Sequence, residues 1–177
     1  MKITVFGGSS PKPGEQAYEQ AYLLGKLIGG AGFTVLTGGY IGTMEAVSRG
    51  AYEGGGQVIG VTCDQIEAWR PVSPNQWIQD ELRFHTLKER LYALIDNCDA
   101  ALVLPGGIGT LAELAVMWSQ LQTRSIAARP LIFIGAGWKA VYDQLIMQFD
   151  SYIPLEHRWF VSFAPGVEHA FRMLVKD

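Results

Sequence analysis

The chain has 177 residues, 49% of them hydrophobic and 18% charged. That is the size and balance of one folding unit over residues 1–177, with a core that needs neither a disulfide framework nor a structural metal. Its 14 Lys and Arg against 17 Asp and Glu leave a net charge of −3 and no basic run, which excludes the electrostatic footprint of a nucleic-acid binder.

No stretch reaches the roughly 18 consecutive apolar residues of a membrane span, so no membrane partner is expected. The opening MKITVFGG has too short an apolar run for a signal peptide, and the expected location is cytoplasmic. Cys63 and Cys98 lack metal-ligand spacing and read as core residues. Neither a metal nor a cofactor is expected.

In chain order, Ile3–Phe6 predicts the first strand and Gly7-Gly8-Ser9-Ser10 its loop. A helix from about Glu15 to Ile28 carries Ala17, Ala21, Leu24 and Ile28 on one face. Phe33–Leu36 is the second strand, Gly38–Gly42 a loop, Met44–Tyr52 a helix and Gln57–Val61 the third strand. Residues 63–85 then break the rhythm with two prolines and two tryptophans, a connector longer than the usual ~2 to 6 residues of an α/β loop. It is either a lid over a ligand or a surface excursion that tucks Trp69 and Trp77 onto the body.

Regularity resumes with helix Leu87–Asp96, strand Ala100–Leu104, loop Pro105–Gly109, helix Leu111–Gln122, strand Leu131–Ile134 and helix Trp138–Phe149. A strand near Phe160–Phe163 and a helix over Val167–Val175 close the chain. Short β-branched runs alternating with helical periods predict an α/β fold: a Rossmann-like, doubly wound, mainly parallel sheet flanked by helices in three layers.

A parallel sheet brings its strand-to-helix loops to one edge, where ligands bind. Three of these loops are glycine-rich, and Pro105-Gly106-Gly107-Ile108-Gly109-Thr110-Leu111-Ala112-Glu113 is the strongest. Its glycines admit close backbone approach, and the helix start offers unpaired N–H groups suited to a phosphate. Thr110-Leu111-Ala112-Glu113 also fits a capping box, which would make Glu113 structural; three converging glycine loops weigh toward a ligand.

Other patterns fail. Gly25-Lys26-Leu27 lies mid-helix without the hydroxyl residue of a P-loop. Gly135-Ala136-Gly137-Trp138-Lys139-Ala140 fits a loose dinucleotide fingerprint, but Glu156 follows no clear second strand. His85, His157 and His169 are scattered and read as surface or packing residues.

These residues resemble the LONELY GUY (LOG) family, members of which have carried a lysine-decarboxylase label. Val5-Phe6-Gly7-Gly8-Ser9-Ser10 is similar to the family's opening loop, and Thr37-Gly38-Gly39-Tyr40-Ile41-Gly42-Thr43-Met44 to its second glycine loop. Residues Pro105 to Glu113 match its PGGxGTxxE motif at every fixed position.

The resemblance, over residues 2 to about 145, implies cleavage of cytokinin nucleoside 5′-monophosphates to free base and ribose 5-phosphate. It implies Glu113 and Arg90 as catalytic, and Gly106, Gly107, Gly109, Thr110, Gly38, Gly39, Gly8, Ser9 and Ser10 as phosphate- or ligand-binding. Arg90 would clamp phosphate or orient Glu113; the alternative is a solvated helix charge beside Glu89.

Family enzymes carry an Arg-Lys pair where this chain has Arg90-Leu91. The same fold family includes molybdenum-cofactor carriers, which bind a phosphorylated pterin without cleaving it, and these supply the alternative function. The expected partner is therefore a small phosphorylated ligand. Leu114, Met117, Trp118 and Leu121 form an apolar stripe on the helix Leu111–Gln122, which with the family's dimers implies a homodimer through that helix; the alternative is core packing against the sheet.

Overall fold

The computed structural model describes residues 1–175. The chain runs β1 (Lys2–Phe6), α1 (Gln16–Gly30), β2 (Thr34–Thr37), α2 (Thr43–Glu53), β3 (Val58–Cys63) and α3 (Asp64–Trp69). It continues through β4 (Asp80–Phe84), α4 (Leu87–Asp96), β5 (Ala100–Val103), α5 (Ile108–Gln122), β6 (Leu131–Ile134) and α6 (Ala136–Phe149). A single 3₁₀ turn (Asp150–Tyr152), α7 (Leu155–Arg158), β7 (Ser162–Ala164) and α8 (Val167–Val175) complete it. Among the described residues seven strands pair in the order β4-β3-β2-β1-β5-β6-β7, every ladder parallel. This is the doubly wound sheet expected from the alternation.

Strand side chains alternate between two cores, as a period of two requires. Ile3, Val5, Leu102, Leu104, Ile132 and Ile134 face one layer, with Tyr18, Leu24 and Ile28 of α1 and Val47 of α2. Phe6, Ala101, Val103, Leu131 and Phe133 face the other, with Leu94 of α4, Leu114 and Met117 of α5 and Trp138 of α6. In α1 the buried stripe uses Tyr18 rather than Ala17, which is exposed. The glycine of Gly25-Lys26-Leu27 finds its reason here: a Cβ at Gly25 would collide with the Val47 carbonyl of α2, as one at Gly50 of α2 would with that of Tyr22. The first two helices touch backbone to backbone.

Three expectations are corrected. The connector 63–85 contains α3 and an edge strand, β4, whose sequence DELRF is mostly exposed and shows no apolar alternation. The helix expected from Leu111 starts at Ile108 with Gly107 as its cap. Thr110 therefore lies inside the first turn, and Glu113 is too deep to reach the cap, so no capping box forms there. A capping box does form at the start of α4, between Thr86 and Glu89. Finally, Leu114, Met117 and Leu121 are buried in the chain's own core, and Trp118 stacks on Tyr142 and donates to the His157 carbonyl at 2.8 Å. The stripe proposed for a partner serves internal packing.

Candidate functional site

The sheet reverses its winding between β1 and β5, so the helices that follow these strands, α1 and α5, pack on opposite faces and leave a crevice at the carboxyl edge. Gly8 ties three loops together there. Its N–H donates to the Pro105 carbonyl at 3.1 Å, and its own carbonyl accepts from the Thr43 N–H at 2.9 Å and the Thr43 hydroxyl at 3.0 Å. Gly42 has φ of +77°, and a Cβ there would come within 2.5 Å of the Ser9 carbonyl carbon. Only glycine lets the second loop lie against the first.

A cavity of about 430 Å³ opens beside this junction, within the ~300–1,000 Å³ range of small-molecule sites. Gly8, Ser9 and Ser10 line it from the β1 loop, and Gly107, Gly109, Thr110 and Glu113 from the start of α5. Arg90 and Leu91 of α4, Tyr40 and Met44, and Ile66, Trp69 and Arg70 of the connector enclose the rest. Gly38, Gly39 and Gly106 do not line it. The Gly38 carbonyl instead accepts from Arg90, Gly39 accepts from Asn75 at 3.1 Å, and Gly106 packs on Thr110 and Gly8. These three glycines shape the supports of the cavity rather than its surface.

Arg90 and Glu113 are buried, at 5% and 8% exposure, so the reading of Arg90 as a solvated helix charge does not hold. The Arg90 Nε donates to the Val61 carbonyl at 2.8 Å and Nη2 to the Gly38 carbonyl at 3.1 Å. Nη1 stands 3.6 Å from Glu113 Oε1, an ion pair longer than a hydrogen bond. The guanidinium also lies 5.8 Å from the centre of the Tyr40 ring. Burial pushes the Glu113 carboxyl up to about 7, against the downward pull of Arg90. At neutral pH this carboxyl is divided between its protonated and ionised forms.

Tyr40, inside the second glycine loop, lines the cavity without being a predicted site residue, and Ile66, Trp69 and Arg70 line it although no sequence motif marks them. The signal was the anomalous connector, and the structure divides its two tryptophans. Trp69 stands exposed at the cavity. Trp77 packs on Tyr52 and under Arg49, on the body of the molecule. Among the described residues no cluster of three or more His, Cys, Asp or Glu has the arrangement of a metal site, and no helix is long and apolar enough to cross a membrane.

Residues 1–128, which include all of this cavity's lining, match the model of the SLOG cluster4 family. The chain belongs to that family. The likeness to LOG proteins holds at the level of relatives as well. The SLOG cluster4 chain is 32% identical over 173 residues to the probable cytokinin riboside 5′-monophosphate phosphoribohydrolase LOGL5 of Oryza sativa subsp. japonica, covering 91% of this chain and 63% of that protein.

It is 35% identical over 119 residues to the cytokinin riboside 5′-monophosphate phosphoribohydrolase of Mycobacterium tuberculosis, covering 66% of this chain and 62% of that one. The chain thus spans less than two thirds of either relative's length. Its fold matches that of the molybdenum cofactor binding protein from Rippkaea orientalis with a TM-score of 0.73 at 23% identity, over 97% of this chain and 93% of that one.

Proposed function

We propose that this protein hydrolyses the N-glycosidic bond of a nucleoside 5′-monophosphate of the cytokinin type, as its relatives' names describe, and that it does so in the cytoplasm. The observation that carries this reading is the buried Glu113–Arg90 pair, lining the same cavity as the exposed glycine-rich start of α5. The first N–H groups of α5 suit the 5′-phosphate. Glu113 lies five residues beyond Ile108, roughly 7–8 Å along the axis at 1.5 Å per residue, which is the separation a ribose would bridge.

As the bond from C1′ to the base lengthens, positive charge grows on the sugar, and the ionised Glu113 carboxylate stabilises it. The same group accepts a proton from the attacking water, whose oxygen bonds to C1′. The base leaves with the bonding pair, and the proton that Glu113 took from water passes to it through solvent, which returns the carboxyl to its ionised form. Arg90, its donors engaged by two carbonyls and Glu113, fixes the carboxylate in place rather than gripping phosphate.

A second reading, a carrier that binds a nucleotide or a phosphorylated pterin such as molybdenum cofactor without cleaving it, draws on Leu91. This half-buried residue lines the cavity where the resemblance calls for a lysine. Incubation with a panel of nucleoside monophosphates separates the two: free base and ribose 5-phosphate are expected, whereas binding without cleavage would make the carrier the better reading. In that assay Leu91→Lys should raise or broaden hydrolysis.

The expected homodimer also needs a different surface from the buried stripe. Ile108 and Leu111 of α5 and Leu87 of α4 are exposed apolar residues, the first and last of them at the rim of the cavity lining, and they offer a self-association face. Sedimentation should give twice the monomer mass at micromolar concentration, and Ile108→Glu should reduce it to the monomer mass.

A further inference from the structure

Among the described residues the charged groups that line the cavity are Arg70, Arg90 and Glu113. Arg90 has little to offer a ligand. Its Nε and Nη2 are spent on the Val61 and Gly38 carbonyls, and its charge faces Glu113. A dianionic phosphate at the start of α5 would therefore meet partial backbone charges but no free cation from the part of α4 that lines the cavity, since position 91 is leucine and Lys88 is not in the lining.

Arg70 differs on each count. It closes α3 in the extended conformation, and its Nη1 donates to the Ser9 hydroxyl at 3.2 Å. Ser9 follows Gly8, whose N–H holds the Pro105 carbonyl, so this bond carries the guanidinium to the junction of the β1 and β5 loops. The Arg70 Nε is sealed from solvent with no acceptor in reach among the described residues. A buried N–H without an acceptor is uncommon and calls for a partner. The ion pairs of the described residues do not include Arg70. The exposed Trp69 ring stands with its centre 5.5 Å from the guanidinium carbon, within cation–π range.

We propose that Arg70 is the cation that binds the phosphate monoester of the ligand, taking the part for which position 91 supplies no charge. The planar donor fork of arginine suits two phosphate oxygens at once, and Nε provides one of its two parallel donors. The proposal rests on the reading that the ligand carries a phosphate, which nucleotide and phosphorylated pterin share.

Calorimetric titration of wild type, Arg70→Met and Arg70→Lys with adenosine 5′-monophosphate, adenosine and inorganic phosphate tests it, alongside steady-state turnover. Loss of a charge-assisted bidentate contact should weaken the monophosphate and inorganic phosphate by roughly 10- to 100-fold in Arg70→Met. Adenosine affinity should stay within about 3-fold, KM should rise far more than kcat falls, and Arg70→Lys should recover part of the loss.

Unchanged phosphate affinity in Arg70→Met overturns the proposal, as does an equal loss for adenosine, which would mark Arg70 as a latch for the connector. Failure of the two ideas is distinguishable. Arg70-dependent phosphate binding without release of base defeats hydrolysis and leaves Arg70 standing; hydrolysis with phosphate affinity indifferent to Arg70 does the reverse. A wild type that binds none of the three overturns both.

Discussion

Arg83, near the end of β4, reaches three carboxylates, whereas Arg90, on the helix that follows, reaches one. The Arg83 guanidinium stands 2.7 Å from Asp64, 2.8 Å from Glu67 and 3.5 Å from Glu81, and His85 adds a 2.7 Å contact to Asp64. Arg90 and Glu113 are 3.6 Å apart. Judged by geometry, the β4 network is the stronger interaction.

Judged by consequence it is the weaker, because the Arg83 side chain is 46% exposed. Water already solvates those charges, and exposed pairs contribute only about 0–1 kcal/mol. His85 and Arg83 hold the Asp64 carboxyl below its usual range, which leaves it ionised at neutral pH as it would be anyway. The Arg90–Glu113 pair lies away from water, where incomplete compensation moves a carboxyl by more than two units, from 4.5 to about 7. Distance and number of partners describe a salt bridge; solvent decides what it does.

The largest break in this contrast should come from Glu113→Gln, which preserves shape and removes the ionisable group. Turnover should fall by roughly two or more orders of magnitude with KM nearly unchanged, since the carboxylate acts mainly on the charged transition state. Steady-state kinetics at pH 8 reads this directly. An equal fall in affinity would assign Glu113 to ligand binding instead.

The same substitution should make the folded protein more stable, and only at higher pH. Glu113 titrates higher in the folded state than in the unfolded chain, so the unfolded state loses its proton first as pH rises. Folding therefore weakens progressively from about pH 4.5 to about pH 7 and no further above it. Glutamine mimics the protonated form throughout. At pH 8 it should stabilise by on the order of 3 kcal/mol, at 1.36 kcal/mol per pKa unit, and at pH 4 the two proteins should match. Chemical denaturation at the two pH values checks the sign as well as the size.

A smaller effect should appear in the pH profile of turnover. If the ionised carboxylate is the working form, kcat/KM rises through an inflection near the Glu113 value, about 7 in the free protein. Arg90→Met removes the charge that draws that value down, so the inflection should move to higher pH by about one unit or more. A profile that shifts downward, or not at all, would mean that Arg90 does not govern Glu113.

The sequence made the sheet legible because core strands bury both faces: LIFI at 131–134 and AALV at 100–103 admit few alternatives. It hid β4, since an edge strand with DELRF gains its place from pairing with β3 and not from its own pattern. The pattern Thr-x-x-Glu occurs at 86–89 and at 110–113, yet only the first is a capping box. At the second, Gly107, Ile108 and Gly109 turn into the helix early and carry Glu113 inward. The motif therefore located Glu113 but not its surroundings.

Arg70 was illegible for a related reason. Its cavity wall is assembled from a connector and a loop 61 residues apart in the chain, and no local period records such a contact. The apolar stripe on α5 misled in the opposite sense, since spacing shows that a helix has an apolar face without showing what covers it.

The smallest expected effect completes the contrast. Arg83→Gln removes the hub of the β4 network and leaves Asp64, Glu67 and Glu81 as neighbours without a cation between them. Their mutual repulsion is screened, because the Debye length at physiological salt is about 8 Å and the side chains face water. The loss should stay at or below about 1 kcal/mol and should shrink further in 1 M sodium chloride. Turnover should remain within about 2-fold of wild type, since Arg83 does not line the cavity and the Tyr40 hydroxyl keeps its bonds to the Cys63 backbone at 3.1 and 2.9 Å when Glu67 is freed. A loss of several kcal/mol, or one indifferent to salt, would mean that α3 depends on the network to stay docked over the cavity. The exposed cluster would then share in the site that the buried pair is here held to carry.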